Sequence, residues 1–206
     1  MTKDTGVAIH SDALLGKRVL LAIAGGIAAV ESVRLARELR RHQADMTVIM
    51  SEEATKIITP LAVSWGSDTI VYQGWSSEMS QLEAFDAILI APATRNTISK
   101  HLHGIMDSPL LMALSASRGR KSKLCFVPSM HTDLFDDPVT SELLDALRDE
   151  GSHVIINEVD EGKLKQPDPI SIVAEFCHIT NRSQSSKSIA ITMLSLIHIS
   201  EPTRPY

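Results

Sequence analysis

Apolar runs recur along the chain, each followed by small or polar residues and then by a helical repeat. The two clearest run from Arg18 to Arg41 (RVLLAIAGGIAAVESVRLARELRR) and from Asp86 to Lys100 (DAILIAPATRNTISK). Within them, Val19 to Ala24 and Ala87 to Ala91 have no polar alternation, the mark of parallel strands buried on both faces. Open parallel sheets bind ligands beyond the carboxyl ends of their strands, where helix N-termini offer N–H groups to anions. Two such junctions in one short domain point to a pocket for a flat, phosphorylated cofactor.

The same reading continues along the chain. Strands are expected at Arg18–Ala24, Met46–Met50, Asp86–Ala91, Leu124–Val127 and His153–Ile156, with a minor one at Thr69–Tyr72. Helices are expected at Ile27–His42, Glu52–Trp65 (with Pro60 interrupting or kinking it), Asn96–His103 and Leu110–Ser117. Pro138–Glu150 is marked by Asp137 at the N-cap, a proline in the first turn and Gly151 beyond the end; Pro169–Thr180 follows Asp168. Strands alternating with helices imply an α/β fold, a three-layer Rossmann-like (flavodoxin-like) doubly wound parallel sheet.

The expected organisation is a leader over 1–15, one domain over 16–182, and a linker over 183–192. Met1 to Leu15 are polar and irregular, a leader or loosely docked arm. After Thr180, NRSQSSK reads as a linker, and Ser188 to Thr192 (SIAIT) as the opening of another buried strand. Residues 193–206 end in SLIHISEPTRPY, which resembles translated sequencing-adapter DNA and is expected to be non-native; an ordinary flexible terminus is the alternative.

Composition narrows the class. Of 206 residues, 44% are hydrophobic but only 4% aromatic, so the core must be aliphatic, as in an α/β protein rather than a β-sandwich. A net charge of -5 argues against a nucleic-acid surface. No apolar run reaches the roughly eighteen residues that span a bilayer, and no signal peptide is visible, so a cytoplasmic protein without membrane contact is expected. Cys125 and Cys177 read as buried thiols. Arg34, Arg37 and Arg41 share one helical face and read as a solvated surface. Trp65 and Trp75 read as packing anchors, with flavin stacking the alternative. His101 and His103 are two apart on a helix and point apart, so no metal site is expected.

The loops carry the chemistry. Gly25-Gly26 after a strand lets the backbone turn sharply and approach a ligand. A G-x-G-x-x-G fingerprint would need glycine at Ala29, so a mononucleotide fits better than NAD. Ser51 can be a plain N-cap or a phosphate-binding hydroxyl. Thr94, Asn96 and Thr97 crowd a helix start behind Pro92, where capping needs only one such residue. Phosphate or an isoalloxazine edge would use all three.

These segments resemble the homo-oligomeric flavin-containing cysteine decarboxylases, in particular the phosphopantothenoylcysteine decarboxylase domain of coenzyme A synthesis in its archaeal form. Gly25 to Ala29 matches the family's G-[SG]-I-A-A turn, MSEEATKIITPL its second strand and helix, and APATRNTISK its A-P-A-T-A-N-T-I-x-K stretch. GIMDSPLL and PSMHTDLFDDPVTSELLDAL match the acidic segment and the substrate loop P-x-M-N-x-x-M-W with the helix behind it. The resemblance spans about Leu15 to Thr180.

The resemblance implies FMN bound between subunits of a homotrimer or dodecamer. Cofactor contacts would come from Gly25, Gly26, Ile27, Ser51, Thr94, Arg95, Asn96, Thr97 and Ala116. Met130 and His131 would bind the small-molecule substrate, with His131 the catalytic residue. The implied reaction is FMN-dependent decarboxylation of phosphopantothenoylcysteine to phosphopantetheine, in a domain often fused to the synthetase that makes its substrate. Ser188 to Thr192 resembles the opening of that synthetase. Two other functions suit the same fold: an electron carrier or pterin/flavin reductase, and an inactive scaffold or regulatory subunit.

Three positions depart from the family pattern. A catalytic histidine expected upstream of the APAT strand aligns with Glu78 or Met79, in a stretch without histidine. The asparagine of the substrate loop is His131, as in archaeal forms. The reducing cysteine of the bacterial flap is replaced by EVDEGKLKQPDP, Glu158 to Pro169.

Overall fold

The computed structural model describes residues 6–75, 77, 79–157, 159–160 and 163–182. Glu78, Glu158, the 183–192 linker with its Ser188 to Thr192 strand, and the 193–206 tail lie outside them.

Five parallel strands form the sheet: β1 (Arg18–Ile23), β2 (Asp45–Met50), β4 (Ala87–Ala93), β5 (Lys123–Pro128) and β7 (His153–Val154), with β3 (Val71–Tyr72) on one edge. Their order is β3-β2-β1-β4-β5-β7. Without the two-residue β3 this is the 2-1-3-4-5 order of flavodoxin-type doubly wound folds.

Side-chain alternation splits the core into two layers. Val19, Leu21 and Ile23 of β1 join Ala87, Leu89 and Ala91 of β4 beneath Leu35 and Leu39 of α1 (Ser32–Arg41), Val63 of α3 (Pro60–Ser67) and Phe176 of α8 (Pro169–Asn181). Leu20, Ala22, Ile88 and Ile90 face the other way, against α4 (Arg95–Leu102), α5 (Pro109–Gly119) and α7 (Pro138–Asp149). With every residue of β4 buried, its unbroken apolar run follows directly.

Several boundaries differ from the sequence reading. The helix expected over Ile27–His42 begins as a 3₁₀ turn, Ile27–Glu31, before α1. The helix expected over Glu52–Trp65 is two: α2 (Glu52–Thr55) and α3, because Thr59 caps a fresh N-terminus, its hydroxyl accepting from Ala62 N–H at 3.2 Å, with Pro60 at the first turn. The strand expected to Ile156 stops at Val154. A small antiparallel sheet, which no alternation announces, joins β6 (Met130–His131), β9 (Lys163–Leu164) and β8 (Val159–Asp160). Met130 and His131, expected at the substrate, are thereby tied to the 158–169 segment through β9.

The expected leader is docked in part. His10 and Leu14 donate to the carbonyls of Arg41 and His42 at 2.8 and 2.9 Å, and the Leu14 side chain is fully buried. Both cysteines are buried, and burial pushes the Cys177 thiol up to about 11 and Cys125 higher still. Trp65 and Trp75 are not packing anchors; they are 59% and 57% exposed. Arg34 is solvated as expected, but Arg41 is only part-exposed and donates at 2.6 Å to the buried Glu38.

Candidate functional site

Sheet order reverses between β1 and β4, which lie side by side in register, so the loops leaving them diverge and open a crevice. The Gly25-Gly26 loop leaves β1 on one side of this point. On the other, the Ala91–Pro92 bond is cis and β4 ends at Ala93. Ala24 N–H donates to Pro92 O at 3.2 Å and joins the two loops.

At Gly25 the glycine is required by space. A Cβ there would lie 2.3 Å from Glu53 Cβ and 3.0 Å from its carbonyl carbon, so only glycine lets the first turn of α2 approach. Gly26 is less constrained, with Pro92 and Thr94 at ordinary contact distance of 3.5 Å from the same virtual atom.

Helix α4 begins here because Thr94 caps it. Thr97 N–H donates to Thr94 Oγ1 at 3.2 Å, and the two hydroxyls lie 2.9 Å apart. Ser51 caps α2 in the same way, accepting from Ala54 N–H at 3.2 Å. Its hydroxyl proton remains available as a donor.

Gly25, Ser51, Thr94, Asn96 and Thr97 gather around one cavity of about 380 Å³. Lys100 is paired there with Asp107 at 2.5 Å, and Leu110 and Leu111 supply an apolar wall. A second cavity, of about 410 Å³, is lined by Ile27 and Ala28 together with Met130, His131, Leu164 and Gln166. Gly26 stands in sequence between the two sets.

Of the residues expected at the cofactor, Gly26, Arg95 and Ala116 line neither cavity and Ile27 lines the second. Arg95 lines neither cavity; its Nη1 donates to Asp137 Oδ2 at 2.7 Å. The Val139 N–H and then Arg95 hold the Asp137 carboxyl below its usual range. A long cation at a helix start finds an N-cap aspartate 42 residues away more readily than a neutral ring. Ala116 lies on α5, outside both linings.

His131 is placed as the N-cap of α6 (Thr132–Phe135), 55% exposed at the rim of the second cavity. Its Nδ1 lies 3.3 Å from the Asp133 backbone N and 3.2 Å from Asp133 Oδ2, so this edge of the ring is engaged locally and Nε2 is the nitrogen left for a ligand. Gln166, in the same lining, carries no motif that would single it out in the sequence.

A profile of the Flavoprotein family matches residues 7–181. The chain belongs to the Flavoprotein family. Family relatives include the coenzyme A biosynthesis bifunctional protein CoaBC of Thermococcus kodakarensis, 35% identical over 189 residues, covering 88% of this chain and 46% of that protein. CoaBC of Methanocaldococcus jannaschii is 34% identical over 159 residues, covering 75% of this chain and 39% of its own. The chain thus spans about half the length, or less, of these curated relatives. Among solved structures, the FMN-dependent cysteine decarboxylase SpaF superposes with a TM-score of 0.69 at 21% identity, over 81% of this chain and 98% of its own. At that identity the likeness confirms the Flavoprotein fold, a Rossmann-like doubly wound sheet. Among the described residues no helix is long and apolar enough to cross a membrane.

Proposed function

We propose that this chain is an FMN-dependent decarboxylase that converts phosphopantothenoylcysteine to phosphopantetheine and carbon dioxide in coenzyme A synthesis. The observation that carries the proposal is the pair of cavities flanking Gly26. A polar one is built from the cofactor motifs, and a largely apolar one is built around the substrate-loop residues Met130 and His131.

The residues fit a flavin mononucleotide. Gly25 brings the backbone close to the crevice, and Ser51, Thr94, Asn96 and Thr97 present hydroxyl and amide groups for a phosphate and a flavin edge. Of the acidic neighbours Glu52, Glu53 and Asp107, the last two are held by Lys56 and Lys100 at 2.9 and 2.5 Å, which reduces their repulsion of an anion. The chemistry a bound flavin supplies is reversible oxidation of the substrate's cysteinyl thiol to a thioaldehyde, from which carbon dioxide is readily lost before the electrons return. His131 holds the substrate carboxylate through Nε2–H, and the apolar lining keeps water from the reacting end.

We assign the decarboxylase domain to 16–182, with Leu14 packing beneath it. The relatives' bifunctional names support a second, fused activity as its partner, for which we infer the synthetase; the polar run after Thr180 supports a linker over 183–192, and the adapter-like SLIHISEPTRPY supports a non-native stretch over 193–206. A homotrimer or dodecamer in the cytoplasm is the assembly we infer, supported by the exposed Ile27, Val30, Leu61 and Trp65. The test is direct: purified protein should be yellow with bound FMN and should release carbon dioxide from phosphopantothenoylcysteine. The second reading, an electron carrier or reductase, is favoured by the lack of histidine in SSEMSQLEAFD, the stretch immediately before β4. It predicts reduction of an acceptor without carbon dioxide release.

A further inference from the structure

Gln166 follows β9 and lines the second cavity beside Met130, His131 and Leu164. Both atoms of its side-chain amide, Oε1 and Nε2, are shielded from solvent and hydrogen-bond to nothing. The other buried side-chain atoms without partners are single hydroxyls of Ser32, Ser117 and Thr180 and one ring nitrogen of His101. Only in Gln166, among the described residues, are a donor and an acceptor of one planar group left together. Folded proteins rarely leave such groups unmatched, because the desolvation cost is uncompensated. A ligand that completes the group removes that cost.

We propose that Gln166 is a substrate-contacting residue whose carboxamide pairs reciprocally with an amide of an acyl-cysteine substrate lying in this cavity. The proposal rests on the decarboxylase reading above and adds to it the group that recognises the acyl chain. The chemistry of the lining selects an amide. A carboxamide offers N–H donors and one carbonyl acceptor without charge, so its best complement carries both a C=O and an N–H. A carboxylate or phosphate would satisfy Nε2 and leave Oε1 facing negative charge. The cationic and anionic neighbours are already engaged: Glu31 accepts from Arg34 at 2.9 Å, and Lys165 has an interaction of its own. Ile27, Met130 and Leu164 provide an apolar wall for the methylene and methyl groups between polar points. His131, on β6, is paired with Lys163 of β9, three residues before Gln166, so one small antiparallel sheet brings both contacts together. The carboxylate would be read by His131 and the amide by Gln166.

The experiment uses flavin-loaded protein and phosphopantothenoylserine, which carries a hydroxyl in place of the thiol and cannot be turned over. Calorimetric titration should show Gln166→Leu weakening this ligand about tenfold or more, as expected for a lost polar match. With phosphopantothenoylcysteine, KM should rise while kcat changes little. The melting temperature without ligand should hold or rise, because an unmatched amide has been removed. Gln166→Glu keeps the shape but replaces the donor with charge, and should weaken binding as well; it gives the answer if the leucine variant does not fold. Equal affinity in wild type and both variants would overturn the role of Gln166 alone. Failure of the wild type to bind this ligand or decarboxylate its thiol counterpart would overturn the decarboxylase reading and this assignment with it. A variant whose main change is a smaller sedimenting species would place the amide at a subunit contact and overturn the proposal.

Discussion

Arg95 donates to Asp137 at 2.7 Å and so joins the helix start behind the proline loop to the N-cap of the helix behind the substrate loop. The Val139 N–H and the Arg95 guanidinium together lower the Asp137 pKa. A carboxylate held low stabilises the fold above its unfolded pKa of about 3.9, and that contribution is lost as pH falls through the lower folded value. Arg95→Ala should therefore make the acid limb of the melting curve, below about pH 4, shallower than in wild type. Melts between pH 2.5 and 7 check this, and an identical limb would show the pair to be energetically idle.

Gly25→Ala places a methyl group 2.3 Å from Glu53 Cβ, so α2 must move. Overpacking of this kind costs about 1–3 kcal/mol. The melting temperature should fall by several degrees, and the variant should retain much less flavin after gel filtration. Gly26→Ala, with only ordinary contacts at 3.5 Å, is the matched control and should fold nearly as well as wild type.

His131→Ala should abolish carbon dioxide release while the visible flavin spectrum of the purified protein is unchanged. His131→Asn, which still donates from an amide, should keep part of the activity. Wild-type turnover in the alanine variant would remove this residue from carboxylate binding.

His101 gives a pH dependence of opposite origin. Its side chain is fully buried, its Nε2 lies 2.9 Å from Glu150 Oε1, and its ring centroid is 5.2 Å from that of Phe126. Burial lowers its pKa, against the opposing hydrogen bond from Glu150. A neutral ring donates Nε2–H to Glu150, and Nδ1 is left without a partner. Stability from a histidine held low is complete above its unfolded pKa of about 6.5 and is lost as pH falls below it. His153 is displaced in the same direction, chiefly by burial. The melting temperature should drop between pH 7 and pH 5, and His101→Phe should reduce the slope. A slope unchanged by that substitution would assign the effect to His153.

The features legible in the sequence were local ones. Apolar runs gave β1 and β4, and Asp137-Pro138 and Asp168-Pro169 gave the starts of α7 and α8, since a cap and its proline lie within one turn. The break at Thr59-Pro60 carried the same signature, and reading Pro60 as a kink concealed it. The partner of Arg95 was not legible, because it is set by packing of α4 against α7 on one face of the sheet. Neither were β6, β8 and β9: pairs of two-residue strands have no alternation to display. Trp65 was misassigned on size alone, although exposed aromatics are ordinary where surfaces meet. Gln166 became visible only when its amide could be seen to lack partners.

The linings of the two cavities share no residue, and a single glycine divides them in the first loop. Retention of the cofactor and choice of the molecule to be transformed are therefore separately heritable. On the decarboxylase reading proposed above, substitutions at Met130, Leu164 or Gln166 would redirect the chain toward other acyl substrates without disturbing the Gly25, Ser51 and Thr94 side. On that reading one scaffold would diversify its substrates by drift in and beside a small antiparallel sheet while the cofactor side stays fixed.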